Sequence, residues 1–291
     1  MSTETLETLL KERRIFKPPA AFSRQAEIKS LEEYKKIYEE AQNNPENHWE
    51  KCALDLDWFH RWKQVLIWDP PNAKWFVEGE LNVSYNCLDR HLKTRGDKPA
   101  IIWEGEPGDQ RILTYRELTS LVSRFARGLS NLGMRKGDRI IIYMPMVPEL
   151  AIAMLASARI GLVHSVIFGG FASSAIRDRL LDSNAKLVIT ADGGFRKGTV
   201  VKLKDNVDQA LKETNGVEKV IVLRRANIEI SWNNKRDLDW NDLMEKTQNG
   251  IDPLPLDSED PLFILYTSGT TGKPKGIVHT TGGYLVSAQS T

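Results

Sequence analysis

Only two cysteines, Cys52 and Cys87, occur in the 291 residues. They are too few for a disulfide framework and lack the paired spacing of a zinc site, which fits a reducing compartment. An excess of one charge is also missing. Forty Lys and Arg against thirty-nine Asp and Glu leave a formal charge of +1. No bulk field then favours nucleic acid or an anionic membrane, and any anion must be held locally. Long apolar runs are missing too: the longest uncharged stretch, Ile160 to Ile176, is too short for a membrane span and is broken by Gly161, Gly169, Gly170, Ser173 and Ser174. The opening "MSTETLETLLKERRIF" carries charges throughout and has no apolar core of a secretory signal. No internal repeat or low-complexity tract stands out. These absences point to a cytoplasmic protein whose partners are small molecules, not nucleic acid or membrane, and they leave the oligomeric state open.

What is present is ordinary for a globular chain, 41% hydrophobic and 27% charged. Residues 1 to about 80 differ from the rest: charged helical segments such as "SLEEYKKIYEEAQNN" lead into a stretch where five of the eight tryptophans lie between Trp49 and Trp75. Each such ring buries roughly 150–250 Å² and needs a body to pack against, so a docking segment is expected, not a base-stacking belt without basic runs. From residue 98, "PAIIWEGEPGDQRILTY" predicts a hairpin turning at Gly105 to Gly108. A helix follows, capped by Thr114 with Glu117, with Leu118, Leu121, Val122, Phe125, Leu129 and Leu132 on one face until Gly133.

Beyond Gly133 the elements alternate. Short apolar runs at 139–145, 162–168, 186–190, 219–224 and 262–266 read as strands buried on both faces, with helical patterns at Glu149 to Arg159, Ser174 to Leu181 and Val200 to Leu211 between them. This order predicts an α/β fold, a mostly parallel sheet flanked by helices, whose ligands gather at the carboxyl ends of the strands. The segment 249–261 reads as a connecting loop.

At the end of the last run stands "YTSGTTGKPKG", residues 266–276. Gly269, Gly272 and Gly276 let backbone N–H groups approach an anion closely. Thr267, Ser268, Thr270 and Thr271 add donors, each worth ~1.5–3 kcal/mol to a charged phosphate oxygen. Lys273 or Lys275 adds charge. The spacing is not that of a P-loop: two residues separate Gly269 from Gly272 where four are needed, and Pro274 stands where a magnesium-binding hydroxyl should be. A G-x-G-x-x-G dinucleotide fingerprint is absent.

This loop is similar to the signature loop of the adenylate-forming family of acyl-CoA synthetases, luciferases and peptide-synthetase adenylation domains. The stretches at 82–92, 139–179, 188–198 and 277–286, and the tryptophan-rich lead-in, resemble its AMP-forming acetyl-CoA synthetase branch. The resemblance implies a helical, Trp-rich N-terminal extension over 1–81 and the first part of an AMP-binding domain over 82–291. It implies ATP-dependent activation of a short carboxylic acid to an acyl-adenylate, then transfer to coenzyme A with release of AMP. The implied ATP-phosphate residues are Thr267, Ser268, Gly269, Thr270, Thr271, Gly272 and Lys273, with Lys273 and Thr270 acting on the reacting phosphates and Lys275 the weaker candidate. The implied coenzyme A residues are Phe168, Gly169 and Gly170, together with Arg196 and Gly198 of an Arg-x-Gly-Arg motif. The residues alone leave Gly169-Gly170 equally readable as a tight turn. Magnesium is expected to ride on the ATP phosphates, with no metal ligand from the protein.

One departure is visible: the second arginine of that motif is Thr199 here, a missing phosphate contact unless Lys197 or Lys202 replaces it. His164 and His279 read as structural, and Asp192 as a group that orients Arg196. Acetate is favoured, with propionate, a hydroxyacid or a medium-chain acid open. The resemblance reaches the last residue but covers only the first half of such an enzyme, so a fragment is expected and turnover by these residues alone is open. The alternatives are a ligase for another short acid and a non-catalytic nucleotide-binding module.

Overall fold

The computed structural model describes residues 15–267 and 274–291. They divide into two compact units, one ending at Lys51 and one beginning at Cys52. In the first, helix α1 (Leu31–Asn43) starts at Ser30, whose hydroxyl accepts the Glu33 N–H at 3.1 Å. No residue of α1 is buried.

The second unit opens with a hairpin of β1 (Gln64–Asp69) and β2 (Asn72–Val77). Its aromatic residues find their body in one another: Trp58 and Trp62 meet edge-on at 4.8 Å, and both lie within 5.5 Å of the buried Phe76 ring. A second hairpin, β3 (Pro99–Glu104) and β4 (Gln110–Thr114), turns where the glycines predict. It leads into α2 (Tyr115–Asn131), whose capping box of Thr114 and Glu117 is formed in both directions. The apolar face of α2 is core, with Val122, Phe125 and Leu129 fully buried.

The centre is a seven-stranded sheet. In chain order its strands are β5 (Arg139–Met144), β6 (Val163–Phe168), β7 (Leu187–Ala191), then, after a small ribbon of β8 (Gly194–Arg196) and β9 (Thr199–Val201), β10 (Lys219–Leu223), β11 (Asp237–Asp239), β12 (Pro261–Thr267) and β13 (Lys275–Thr280). Their order across the sheet is β11-β10-β7-β5-β6-β12-β13. All neighbours run parallel except β12 and β13. Helices α3 (Pro148–Arg159), α4 (Ser173–Ser183) and α5 (Leu203–Leu211) connect the parallel strands, and α6 (Trp240–Lys246) and α7 (Thr281–Gln289) follow β11 and β13. The run Ile140, Ile141, Ile142 and Tyr143 has no exposed surface, as expected of a central strand covered on both faces. Across α2 and α6 the rings of Phe125 and Trp240 stack at 3.9 Å. No helix among the described residues is long and apolar enough to cross a membrane.

Two expectations need correction. Val200 and Val201 do not begin a helix but pair as β9 with Phe195 and Gly194, and α5 starts at Leu203. Their β-branched side chains fit the pleated ribbon. The segment 249–261 is not wholly loop: Leu256 and Asp257 pair with Leu81 and Glu80.

A buried ion network ties α5 to the edge strand β11. Lys204, with no exposed surface, reaches Asp208 and Asp237 at 2.8 Å each, and Arg236 bonds Asp208 at 2.6 Å and Asp237 at 2.7 Å. Burial works against the charge on Asp237, but hydrogen bonds from Arg236 and Lys204 outweigh it and hold the carboxyl below the ordinary aspartate value of 3.8. Such stabilisation is fully present above the unfolded value and is lost as pH falls through the lower folded one. Asp237→Ala should therefore cost about 3–5 kcal/mol near neutral pH. In urea titrations the gap from the unaltered protein should narrow as pH drops below 3.8.

Candidate active site

The sheet order puts β6 on one side of β5 and β7 on the other, so the loops leaving their carboxyl ends diverge, the arrangement that opens a crevice in such sheets. A cleft of about 530 Å³ lies there. It is lined by Met144 at the end of β5 with Pro145 and Val147 beyond it, by Phe168 at the end of β6 with Gly169 and Gly170 beyond it, and by Gly194 to Arg196 in the ribbon. Leu265, two residues before the end of β12, lines it as well.

The glycine turn is held from below by Tyr143. Its hydroxyl donates to the Phe171 carbonyl at 2.7 Å and accepts from Asn206 Nδ2 at 3.1 Å. Burial raises the Tyr143 pKa, so the phenol remains a donor. Glycine at 170 has a steric cause, since a Cβ there would collide with the Arg196 guanidinium and lie 2.6 Å from the Phe168 ring. That vacancy lets Arg196 lie over Phe168, with 5.0 Å between guanidinium carbon and ring centre.

Between β8 and β9 the chain turns on two residues, Lys197 at φ 52° and Gly198 at φ 72°. Two successive positive φ values make a type I′ turn, which is the role glycine plays at 198. Thr199 lies directly opposite Arg196 across the ribbon, and its hydroxyl donates to the Arg196 carbonyl at 2.9 Å. The Gly198 N–H donates to Glu106 at 2.6 Å. Gly198 thus shapes the ribbon, and the Glu106 that accepts its N–H lines the cleft.

Asp192 does not orient the Arg196 side chain. It has no exposed surface, and its carboxylate accepts the backbone N–H groups of Gly193, Arg225, Ala226 and Ile228 at 2.7 to 3.2 Å. It orders the main chain beyond β7 and β10. One cleft residue that the sequence reading passes over is Arg225, just after β10. Its guanidinium lies 5.0 Å from the Phe195 ring and 5.1 Å from the Trp103 ring, and it forks onto Asp109 with two contacts of 2.9 Å. Its place at the carboxyl end of a buried strand was the available signal. Among the described residues no carboxylate pairs with Arg196 in this way, so of the two arginines that line the cleft only Arg225 is held in an ion pair.

The other proposed contacts begin at the end of β12. Thr267 is exposed and pairs with Lys275. Ser268, Gly269, Thr270, Thr271, Gly272 and Lys273 lie outside the described residues. Among the described residues no group of three His, Cys, Asp or Glu side chains could hold a metal. His164 is buried in β6 near Phe263, and burial pushes its pKa down to about 4. His279 lies within β13 and stacks on Phe263 at 4.5 Å.

Comparison with known proteins places this cleft in context. Residues 88–291 match the family described as AMP-binding enzyme, and residues 34–87 match the acetyl-coenzyme A synthetase N-terminus. An acetyl-coenzyme A synthetase of Chlorobaculum tepidum is 51% identical over 290 residues, 99% of this chain and 44% of that protein. One of Streptomyces avermitilis is 50% identical over 293 residues, 100% of this chain and 44% of the relative. In three dimensions the chain resembles the acetoacetyl-CoA synthetase from Streptomyces lividans, with a TM-score of 0.81 and 28% identity over 93% of this chain and 42% of that one. The chain spans less than half the length of the curated relatives it matches.

Asp192→Ala removes the acceptor of four N–H groups, one buried and three part-buried, and should lower unfolding free energy by about 3 kcal/mol in urea titration. Gly170→Ala should leave stability nearly unchanged while displacing Arg196 from Phe168. Because a phosphate then need not draw Arg196 off the ring, calorimetry should register a polyphosphate anion binding in the cleft roughly two- to fivefold more tightly.

Proposed function

The chain belongs to the AMP-binding enzyme family, and from that premise we propose that its protein activates a short carboxylic acid, acetate first, with ATP and passes the acyl group to coenzyme A. The observation that carries this reading is that β12, the strand running into the hydroxyl-rich loop, contributes Leu265 to the same cleft as Arg196 and the glycine turn. A nucleotide handled by the loop and a thiol donor held at the turn would then meet at one end of the sheet.

In the first step a carboxylate oxygen attacks the α-phosphorus of ATP and pyrophosphate leaves. In the second the coenzyme A thiol, losing its proton, attacks the acyl carbon and AMP leaves. Charge builds on the departing pyrophosphate, and Thr267 to Lys273 are assigned to it: hydroxyls and backbone N–H groups as donors, Lys273 as the cation. Magnesium arrives with the nucleotide as Mg-ATP. On the other side Phe168, Gly169 and Gly170 would accept the pantetheine and nucleotide portion of coenzyme A, with Arg196 on its phosphate and Gly198 shaping the turn that presents Arg196. Thr199 gives that phosphate no second cation. The residues divide, on this reading, into the N-terminal extension at 1–81 and the AMP-binding domain at 82–291, in a cytoplasmic protein.

The test is carboxylate-dependent exchange of labelled pyrophosphate into ATP by the full-length protein, with acetate, propionate and longer acids in parallel. Exchange should be fastest with acetate, and Lys273→Ala should slow it by about 100-fold or more, the cost of removing one preorganised transition-state contact. Exchange that no acid stimulates would overturn the reading. Thr199→Arg should tighten coenzyme A about tenfold, read as a lower KM in thioester formation.

A further inference from the structure

The tip of the β3–β4 hairpin brings carboxylates to the cleft. In its stretch "EGEPGD", residues 104–109, Glu104 and Glu106 line the cleft together with Arg196 and Arg225. Among the described residues these four are the charged side chains of the lining, two of each sign. Glu106 accepts the Gly198 N–H at the turn of the ribbon, at 2.6 Å. Asp109 takes the Arg225 guanidinium in its fork, with two contacts of 2.9 Å. Glycine at 105 has its cause here, since a Cβ would collide with the Asp109 carboxylate and lie 2.7 Å from the Arg225 guanidinium. The hairpin is pinned below its tip as well. Trp103 Nε1 donates to the Met146 carbonyl at 2.8 Å, and Arg111 pairs with Glu149 at 2.6 Å.

Both carboxylates sit on groups that suit a phosphate. A guanidinium at the carboxyl end of a buried strand and the N–H of a glycine in a tight turn are the donors that phosphate oxygens seek. Glu106 and Asp109 fill them with charge-assisted bonds of the same kind. A phosphate that takes either donor must first displace a carboxylate, so its net gain is the difference between two similar bonds. The rest of the cleft sets no such condition. Its lining is largely apolar, with Leu150, Val166, Ile167 and Leu203 in it, and its volume is about 530 Å³. Burial of an apolar arm there displaces only water.

We propose that the hairpin tip is an internal anion: Glu106 and Asp109 compete with a ligand's phosphates for the Gly198 N–H and Arg225, so that a bare polyphosphate is held weakly. This deepens, and rests on, the function proposed above. Apparent affinity falls by the fraction of time the donors stand free, and every phosphate meets that reduction alike. A ligand that also carries an apolar arm into the cleft has a second source of affinity; a bare polyphosphate has none. Pyrophosphate and free nucleotides are thereby kept from filling the place of the thiol donor. The two carboxylates are specificity-determining residues that need not touch the reacting atoms.

The experiment is calorimetric titration of the full-length protein with tripolyphosphate, with coenzyme A, and with pantetheine, the thiol arm without phosphates. Tripolyphosphate should bind the unaltered protein more weakly than coenzyme A does. Glu106→Gln and Asp109→Asn keep size and shape but remove the charge, and each should lower the Kd of tripolyphosphate about tenfold. Pantetheine, which has no phosphate to compete, should keep its Kd within about twofold in both. Asp97→Asn removes one carboxylate from an exposed pair with Arg116 at 3.0 Å, away from the cleft, and should leave tripolyphosphate binding unchanged. An equal gain in Asp97→Asn would assign the effect to net charge and overturn the proposal. Unchanged or weaker tripolyphosphate binding in both cleft variants also overturns it, as does binding in no form of the protein. Should Asp109→Asn fail to fold, Glu106→Gln decides alone, because that side chain is at the exposed tip. Tighter tripolyphosphate in the variants, with neither thiol bound by any form, leaves the competition standing and overturns the thiol cleft assigned above.

Discussion

Four backbone N–H groups converge on one carboxylate, that of Asp192, and the cleft takes its shape from that point. The group has no exposed surface. A buried carboxylate is tolerable only when its lone pairs are filled, and here charge-assisted bonds from two separate loops fill them. The loop after β7 and the loop after β10 are thereby locked side by side. The first carries the ribbon that presents Arg196, and the second carries Arg225. Both cleft arginines thus depend on a carboxylate whose hydrogen bonds go to main-chain N–H groups and not to either guanidinium.

A second constraint works from the middle of the sheet. Tyr143 ends a run whose neighbours are all apolar and unexposed, yet its hydroxyl is spent on the glycine turn after β6 and on Asn206 of α5, while its own carbonyl accepts the Thr190 hydroxyl at 2.8 Å. Parallel strands with both faces covered leave their carboxyl ends as the place where side chains can serve a ligand. Tyr143 shows how a strand built for burial can still organise such an end: the ring fills the core and the single polar atom emerges at the rim.

Strands β5, β6, β7, β10 and β12 were legible as unbroken apolar runs, whereas the parallel edge strand β11, Asp237–Asp239, has no such run and was missed; α2 was legible because its capping box and its 3.6-residue period agree. The ribbon after β7 was misread. In Val200 and Val201 the same apolar residues serve a helix pattern or a strand, and only the paired positive φ of Lys197 and Gly198 decides between them. Asp192 was noticed but given the wrong partner, since main-chain donors leave no trace in a sequence. Arg225 carried a positional signal but no motif. The aromatic segment was legible as packed, while the identity of its centre, Phe76, depends on a fold that composition does not specify.

The near-zero net charge gains its meaning at this scale. Forty cations among thirty-nine anions cannot steer a polyanion from a distance, so selectivity must come from which cation is left unneutralised close at hand. Arg225 and Arg196 both lie on aromatic rings at the same cleft, but Asp109 closes a fork on Arg225, whereas no described carboxylate does so for Arg196. A ring face attracts a guanidinium weakly enough, by about 0.5–1 kcal/mol where exposed, that a phosphate can outbid it. An ion-paired arginine would have to abandon a stronger partner. On the proposed reading the two arginines divide the work: Arg225, paired with Asp109, braces the wall, and Arg196, resting on Phe168 above Gly170, is the one assigned to the ligand.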